Sequence, residues 1–195
     1  AISADGEYIA AVSADGKGLY LFQEAPKELA GKPTVQLLGS GSILNEVIRA
    51  QGLLAEMGIA APVWNATGYL QLRRDALEAG RWNMLNPKET PKRSYLEETL
   101  GDVEGPFVAT SDWLKAVPDQ ISKWVPGEMF TLGTDGYGRS DTRKALRRHF
   151  EIDAEFVCVA ALSRLARKGD VSLDLVTETI KRFEIDPEKA NPIFD

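Results

Sequence analysis

Apolar residues in this chain fall into short runs set between glycine-, proline- and charge-rich stretches, and the runs alternate between two lengths. Residues 34–38, 62–66, 107–110 and 129–132 are compact apolar segments of strand length. Longer segments between them repeat their apolar residues at helical spacing. Ile43, Leu44, Val47, Ile48, Leu54 and Met57 share one broad face, and Gly58 closes it. Residues 69–79 predict a second helix, with Leu70, Ala76 and Leu77 inward and Arg73 and Arg74 outward. Strands alternating with helices over short distances predict an α/β domain with a mainly parallel sheet.

The same pattern places the remaining elements. Asp5-Gly6 and Asp15-Gly16 echo one another, and Asp-Gly is a strong hairpin signal, so residues 7–13 and 18–22 read as two short strands. Residues 1–16 are expected to be a leader or edge hairpin, with the domain proper running from 17 to 195. Gln23 to Pro33 reads as a linker, and Arg81 to about Arg93 as a proline-bearing loop. A helical turn or two is expected over residues 95–100. Ser111 and Asp112 precede a helix carrying Trp113, Leu114, Val117, Ile121 and Trp124, which Pro118 should divide into two pieces. Asp153 suits the start of a helix over 154–168, whose end carries Arg164, Arg167 and Lys168. A last helix is expected from Ser172 or Leu173 to Arg182, followed by a polar segment with Pro187 and Pro192.

An apolar fraction of 44% over 195 residues supports one sizeable core. A net charge of −6 argues against nucleic acid or an anionic membrane as partner, since phosphates reward a concentrated positive face. The one basic cluster is Arg143, Lys144, Arg147 and Arg148, a stripe on one helix that reads as a solvated face or as a dock for an acidic protein. Cys158 is the only cysteine and lies in an apolar run, as a small buried hydrophobe would. No apolar stretch reaches membrane-spanning length, no signal-peptide pattern opens the chain, and a cytoplasmic location is the expectation.

Two glycine turns carry the candidate chemistry. Gly39-Ser40-Gly41 follows a strand and opens a helix, so its amides could hold an anion. The dinucleotide pattern fails because Leu44 stands where its third glycine belongs, and no Gly-Lys-Ser/Thr completes a P-loop. The second turn follows the strand at 129–132 and contains Gly133, Asp135, Gly136, Gly138, Arg139, Ser140 and Asp141, with Ser140 or Asp141 as the expected cap of the next helix. The plain alternative is a tight strand-to-helix connection with solvated charges. His149, the only histidine, stands in a helix beside Phe150, and no G-x-S-x-G elbow exists. Glu97, Glu98, Asp102 and Glu104 lack metal-ligand spacing. These residues contain no self-contained active site, which points to part of something larger.

Several longer motifs bear a resemblance. Val35-Gln36-Leu37-Leu38-Gly39-Ser40-Gly41-Ser42-Ile43-Leu44, Arg81-Trp82-Asn83-Met84-Leu85, Gly133-Thr134-Asp135-Gly136-Tyr137-Gly138-Arg139-Ser140-Asp141 and Val159-Ala160-Ala161-Leu162 resemble the C-terminal domain of the homodimeric pyruvate dehydrogenase decarboxylating component. The stretch from Phe183 to Pro192 is similar to that family's ending. Asn86 is a departure, standing where the family usually has histidine. The resemblance implies a transketolase C-terminal fold: a three-layer α/β/α sandwich on a mixed, mainly parallel five-stranded sheet, with its first strand, near Gly18 to Phe22, antiparallel.

It implies further that thiamine diphosphate and magnesium serve the full enzyme but are held by upstream domains, with no catalytic, cofactor or metal residue in this chain. The implied partners are the rest of the decarboxylating subunit, its homodimer mate and the lipoyl-bearing acyltransferase. Asp135, Gly136, Gly138, Arg139, Ser140 and Asp141 would then lie at an inter-domain or subunit contact. The competing expectation is a stand-alone α/β module binding an anion or nucleotide at Gly39, Ser40 and Gly41 or at the second glycine turn.

Overall fold

The computed structural model describes residues 16–194. The expected hairpin strand at 7–13 lies outside these residues. A five-stranded sheet runs in the order β1-β3-β2-β4-β5, built from β1 (Leu19–Gln23), β2 (Gln36–Gly39), β3 (Val63–Ala66), β4 (Phe107–Thr110) and β5 (Met129–Leu132). Strands β2 to β5 run parallel to one another. β1 is antiparallel to β3, with Leu19 opposite Ala66 and a register shift between Leu21 and Gln23. The mixed sheet implied by the resemblance is therefore present.

Every residue of β2, β3 and β4 is buried, as in a parallel sheet covered on both faces, with Gln36, Asn65 and Thr110 the polar residues among them. Successive side chains nevertheless point to opposite faces. Leu37, Val63 and Val108 enter one core together with α1 (Leu44–Glu56) and α6 (Ala154–Lys168). Leu38, Trp64, Phe107 and Ala109 enter a second core with α2 (Tyr69–Leu85) and α3 (Tyr95–Leu100). The layers are helices, sheet, helices. Each fully buried leucine or valine in them is worth about 1.5–3 kcal/mol.

The helix ends follow from local chemistry. Ser94 and Glu97 form a reciprocal capping box at the start of α3. Asp153 Oδ1 accepts from the Phe156 amide at 2.9 Å and starts α6, which ends in left-handed Gly169. Burial raises the Asp153 pKa, against the lowering pull of that amide and of Arg148. α6 packs along α1, where Cys158 is fully buried with its Sγ 3.5 Å from the Ala50 carbonyl. Burial pushes that thiol well above the ordinary cysteine range. α7 (Leu173–Arg182) is capped by Ser172 and lies on α6.

Three expectations change. Residues 81–85 are not loop: α2 continues through them to Leu85. Gly80 interrupts the helical pattern in sequence, but its site is open and its cost of about 1 kcal/mol is tolerated. Asn83 explains part of this, since its side chain brackets both the amide and the carbonyl of Lys92 at 2.8 and 2.9 Å and folds the following loop back onto the helix. Thr142, not Ser140 or Asp141, caps α5 (Arg143–His149), with its Oγ1 accepting from the Ala145 amide at 3.3 Å. Pro118 does divide its segment, into α4 (Ala116–Asp119) and a 3-10 turn over Ser122–Trp124, but Trp113 and Leu114 precede both pieces.

Candidate functional site

β2, β4 and β5 all end at one edge of the sheet, and the chain turns there after Gly39, Thr110 and Leu132. β2 lies between β3 and β4, so the crossovers on its two sides run in opposite directions. The crevice outside the carboxyl ends of strands at such a reversal is where open α/β sheets bind ligands.

The second glycine turn is fastened to the loop after β4. The Thr134 amide donates to the Trp113 carbonyl at 2.9 Å, and Thr134 Oγ1 donates to the Asp112 carbonyl at 3.1 Å. Asp135 Oδ2 accepts from the Lys115 amide at 2.9 Å. A Cβ on Gly133 would fall 2.6 Å from the Trp113 oxygen, so only glycine allows the approach. Gly136 has φ +115° and lies against the Pro192 carbonyl and Ile193, which draws the segment after α7 across the turn. That segment is held again by Lys189 Nζ, which donates to the His149 carbonyl at 2.8 Å and pairs with Glu151 at 3.0 Å.

Of the six residues expected at a contact, Asp135 and Gly136 do internal work. Gly138, Arg139, Ser140 and Asp141 are exposed, and Asp141 Oδ1 accepts from the Thr142 amide at 2.6 Å. Arg139 and Asp141 rim a cavity of about 520 Å³ floored by Ile43, Leu146 and Phe150. Trp113, Tyr137 and Phe194, on the three segments that meet here, are 66%, 75% and 82% exposed. Of the three, Tyr137 lines that cavity, and aromatic residues are enriched at protein interfaces.

The first glycine turn is built differently. A Cβ on Gly39 would come within 3.0 Å of Leu44 Cα and 3.1 Å of Val47, so this glycine brings α1 tightly onto β2. Gly41–Ile43 form a 3-10 turn leading into α1. Ser40 Oγ is buried and has no hydrogen-bond partner among the described residues. Ser42 Oγ donates to Asp112 at 3.2 Å, and Arg147 of α5 donates to the Ser42 carbonyl at 3.3 Å. Arg147 also pairs at 2.6 Å with Glu46, which is 8% exposed. Glu46 further pairs with Arg49 and accepts the Ala154 amide at 3.1 Å.

The basic stripe is thus split. Arg143 and Lys144 are exposed, whereas Arg147 and Arg148 are half-buried and engaged, Arg148 with Asp153 at 3.2 Å. His149 is half-buried, its ring edge-on to Phe150 with centroids 4.8 Å apart. Among the described residues no three histidine, cysteine, aspartate or glutamate side chains come together as a metal site. Sequence reasoning missed Ser42, Glu46, the Trp113–Lys115 backbone and Pro192. Only Glu46 carried a signal, as a carboxylate on the otherwise apolar face of α1.

The model for the transketolase-like TK C-terminal domain matches residues 18–153. The pyruvate dehydrogenase E1 component of Pseudomonas aeruginosa is 50% identical over 179 residues, 91% of this chain and 20% of that protein. The same component of Escherichia coli K12 is 43% identical over 178 residues, 90% of this chain and 20% of the relative. The chain thus spans about a fifth of the length of these relatives. Among solved structures, a transketolase from Pichia stipitis superposes with TM-score 0.56 at 18% identity, covering 82% of this chain and 20% of that one. Transketolase from Leishmania mexicana gives TM-score 0.51 at 16% identity, over 77% of this chain and 18% of its own. The structural matches establish the shared fold, and with the family model covering the sheet, both glycine turns and α5, the chain belongs to the transketolase-like TK C-terminal domain family.

Proposed function

We propose that the chain is the C-terminal domain of a thiamine-diphosphate-dependent pyruvate dehydrogenase (acetyl-transferring) subunit. The parent enzyme decarboxylates pyruvate and passes the acetyl group to lipoyl groups of an acyltransferase component, in the cytoplasm. This domain contributes assembly and the shape of the active-site approach. The carrying observation is the 50% identity over 91% of the chain to one end-piece's worth, 20%, of an E1 component. The fastened glycine turn with its exposed aromatics supports the assembly role, because a preformed surface loses little entropy on docking.

Thiamine diphosphate supplies the electron sink for decarboxylation, and the parent's other domains hold it and its magnesium. Within this chain, Asp135 and Gly136 keep the turn in shape, and Arg139, Ser140 and Asp141 present it to a neighbouring domain or subunit, where an arginine–carboxylate contact would set the register.

The test is Arg139→Ala in the full-length parent, followed by sedimentation and pyruvate turnover. Dimer dissociation should rise about tenfold or more, as loss of one charge-assisted contact predicts, and turnover should fall at dilute enzyme. Unchanged values for both would remove the role given to this turn. The 195-residue chain alone, supplied with pyruvate, thiamine diphosphate and magnesium, should show no turnover, and measurable turnover would overturn the reading.

A further inference from the structure

We propose an anion site for a small molecule bearing two phosphate groups, in the cleft where α1, α5 and α7 meet. The inference concerns this chain's own surface and does not rest on the reading above. The cleft holds about 690 Å³, within the range of small-molecule sites. Arg49 reaches it from α1, Arg143, Lys144, Arg147 and Arg148 from α5, and Arg182 from α7. Against these six cations stand four carboxylates, those of Glu46, Asp153, Glu155 and Glu184. The cleft thus carries an excess of two positive charges in a chain whose net charge is −6. A concave site with an excess of one sign focuses the field and concentrates counter-ions.

Three of the carboxylates are committed to cations of this cleft, while two cations have no partner. Glu46 holds Arg147 and Arg49, Glu155 also holds Arg49, and Asp153 holds Arg148. Arg143 and Lys144 are exposed, and their side chains make no hydrogen bond or ion pair among the described residues. Their placement is costly. Both stand in the first turn of α5, where the helix dipole disfavours a cation. Each also lies four residues before another arginine, Arg147 or Arg148, and like charges at that interval repel along a helix. A helix of seven residues gains no stability from this arrangement. Local rules broken without a structural return mark functional positions, and a bound anion would supply the return.

The chemistry of the cations narrows the ligand. The planar fork of arginine matches phosphate oxygens two at a time, and lysine adds a point charge. Arg143 and Lys144 approach from α5, whereas Arg49 and Arg182, with side chains 56% and 52% exposed, approach from α1 and α7. A phosphate at each group calls for a ligand that carries two. A nucleic-acid backbone would need a longer positive track, and the chain as a whole is acidic.

The experiment titrates the 195-residue chain with inorganic pyrophosphate and, separately, with inorganic phosphate, without magnesium and at low salt. Heat of binding and the amide resonances of α5 are followed. Pyrophosphate should bind saturably with a Kd of about 0.1–1 mM, about tenfold tighter than phosphate, and more weakly as salt is added. Arg143→Gln and Lys144→Gln should each weaken it about five- to tenfold. Neither should lower the Tm of the ligand-free protein, because each removes repulsion and no contact. Arg74→Gln, an exposed arginine on α2 at the opposite face of the sheet, should leave binding unchanged.

Four results would overturn the proposal. One is no saturable response to pyrophosphate up to about 10 mM at low salt. Another is phosphate binding as tightly as pyrophosphate, which would remove the second phosphate from the argument. A third is Arg74→Gln weakening pyrophosphate as much as Lys144→Gln does, which would reduce the effect to diffuse attraction. The fourth is a lowered Tm in both ligand-free α5 variants, which would give those cations a structural role. Each α5 variant checks the other should one fail to fold.

Discussion

The two glycine turns follow strands of the same sheet and point the same way, yet they use glycine for opposite ends. At Gly39 the missing side chain serves the interior: it lets α1 close onto β2, with Leu44 and Val47 already at contact distance. At Gly133 and Gly136 it serves the surface, letting one loop lie on the backbone of another and on the Pro192 carbonyl. The first turn is a packing device. The second is a junction of three segments whose outer side remains open. A glycine-rich sequence therefore says that backbones approach closely, and the burial of the approaching partner says whether stability or association is served.

The largest test removes the link between the turns. Glu46→Ala would leave Arg147 and the Ala154 amide without their shared carboxylate in a largely buried place. It should cost about 3–5 kcal/mol, measured by urea unfolding, and a loss below about 1 kcal/mol would make the two turns independent. Next, Gly39→Ala should cost about 1–3 kcal/mol of global stability, as overpacking does.

Gly136→Ala should cost about 1–2 kcal/mol through its positive φ and the Pro192 carbonyl. Its effect should be local, seen as faster proteolysis after Arg182 with the cooperative melt little changed. The smallest effect belongs to Gly138→Ala, which meets nothing within 4 Å. It should leave stability unchanged or raise it by less than about 1 kcal/mol. If Gly138→Ala proved more damaging than Gly39→Ala, the contrast between the turns would fail.

Much of the architecture was legible because its signals are local. Val35 to Leu38 and Phe107 to Thr110 are apolar runs too short for helices, and Asp153 is a cap whose partner, Phe156, lies three residues on. The division of each strand between two cores was not legible, since Leu37 and Leu38 are both leucine and both fully buried. The extension of α2 past Gly80 was missed because the bracket on Asn83 forms across a loop. The cap at Thr142 differs by one residue from the expectation, the usual uncertainty at helix ends.

At the candidate site, the glycines and Asp135 could be found from spacing. What they touch could not. Trp113, Lys115 and Pro192 contribute backbone atoms there, and a carbonyl or amide leaves no mark on the residue that bears it. Arg147 was read with its neighbours as part of a stripe, and only its pairing with Glu46 from α1 separates it from the exposed Arg143.

The lone cysteine gives the molecule a built-in clock. Cys158 faces the Ala50 carbonyl in the seam between α1 and α6 and is held as the unreactive thiol by its surroundings. A disulfide reagent such as dithionitrobenzoate can reach it only when those helices part. The rate at which colour develops would time the opening of that seam without any introduced label.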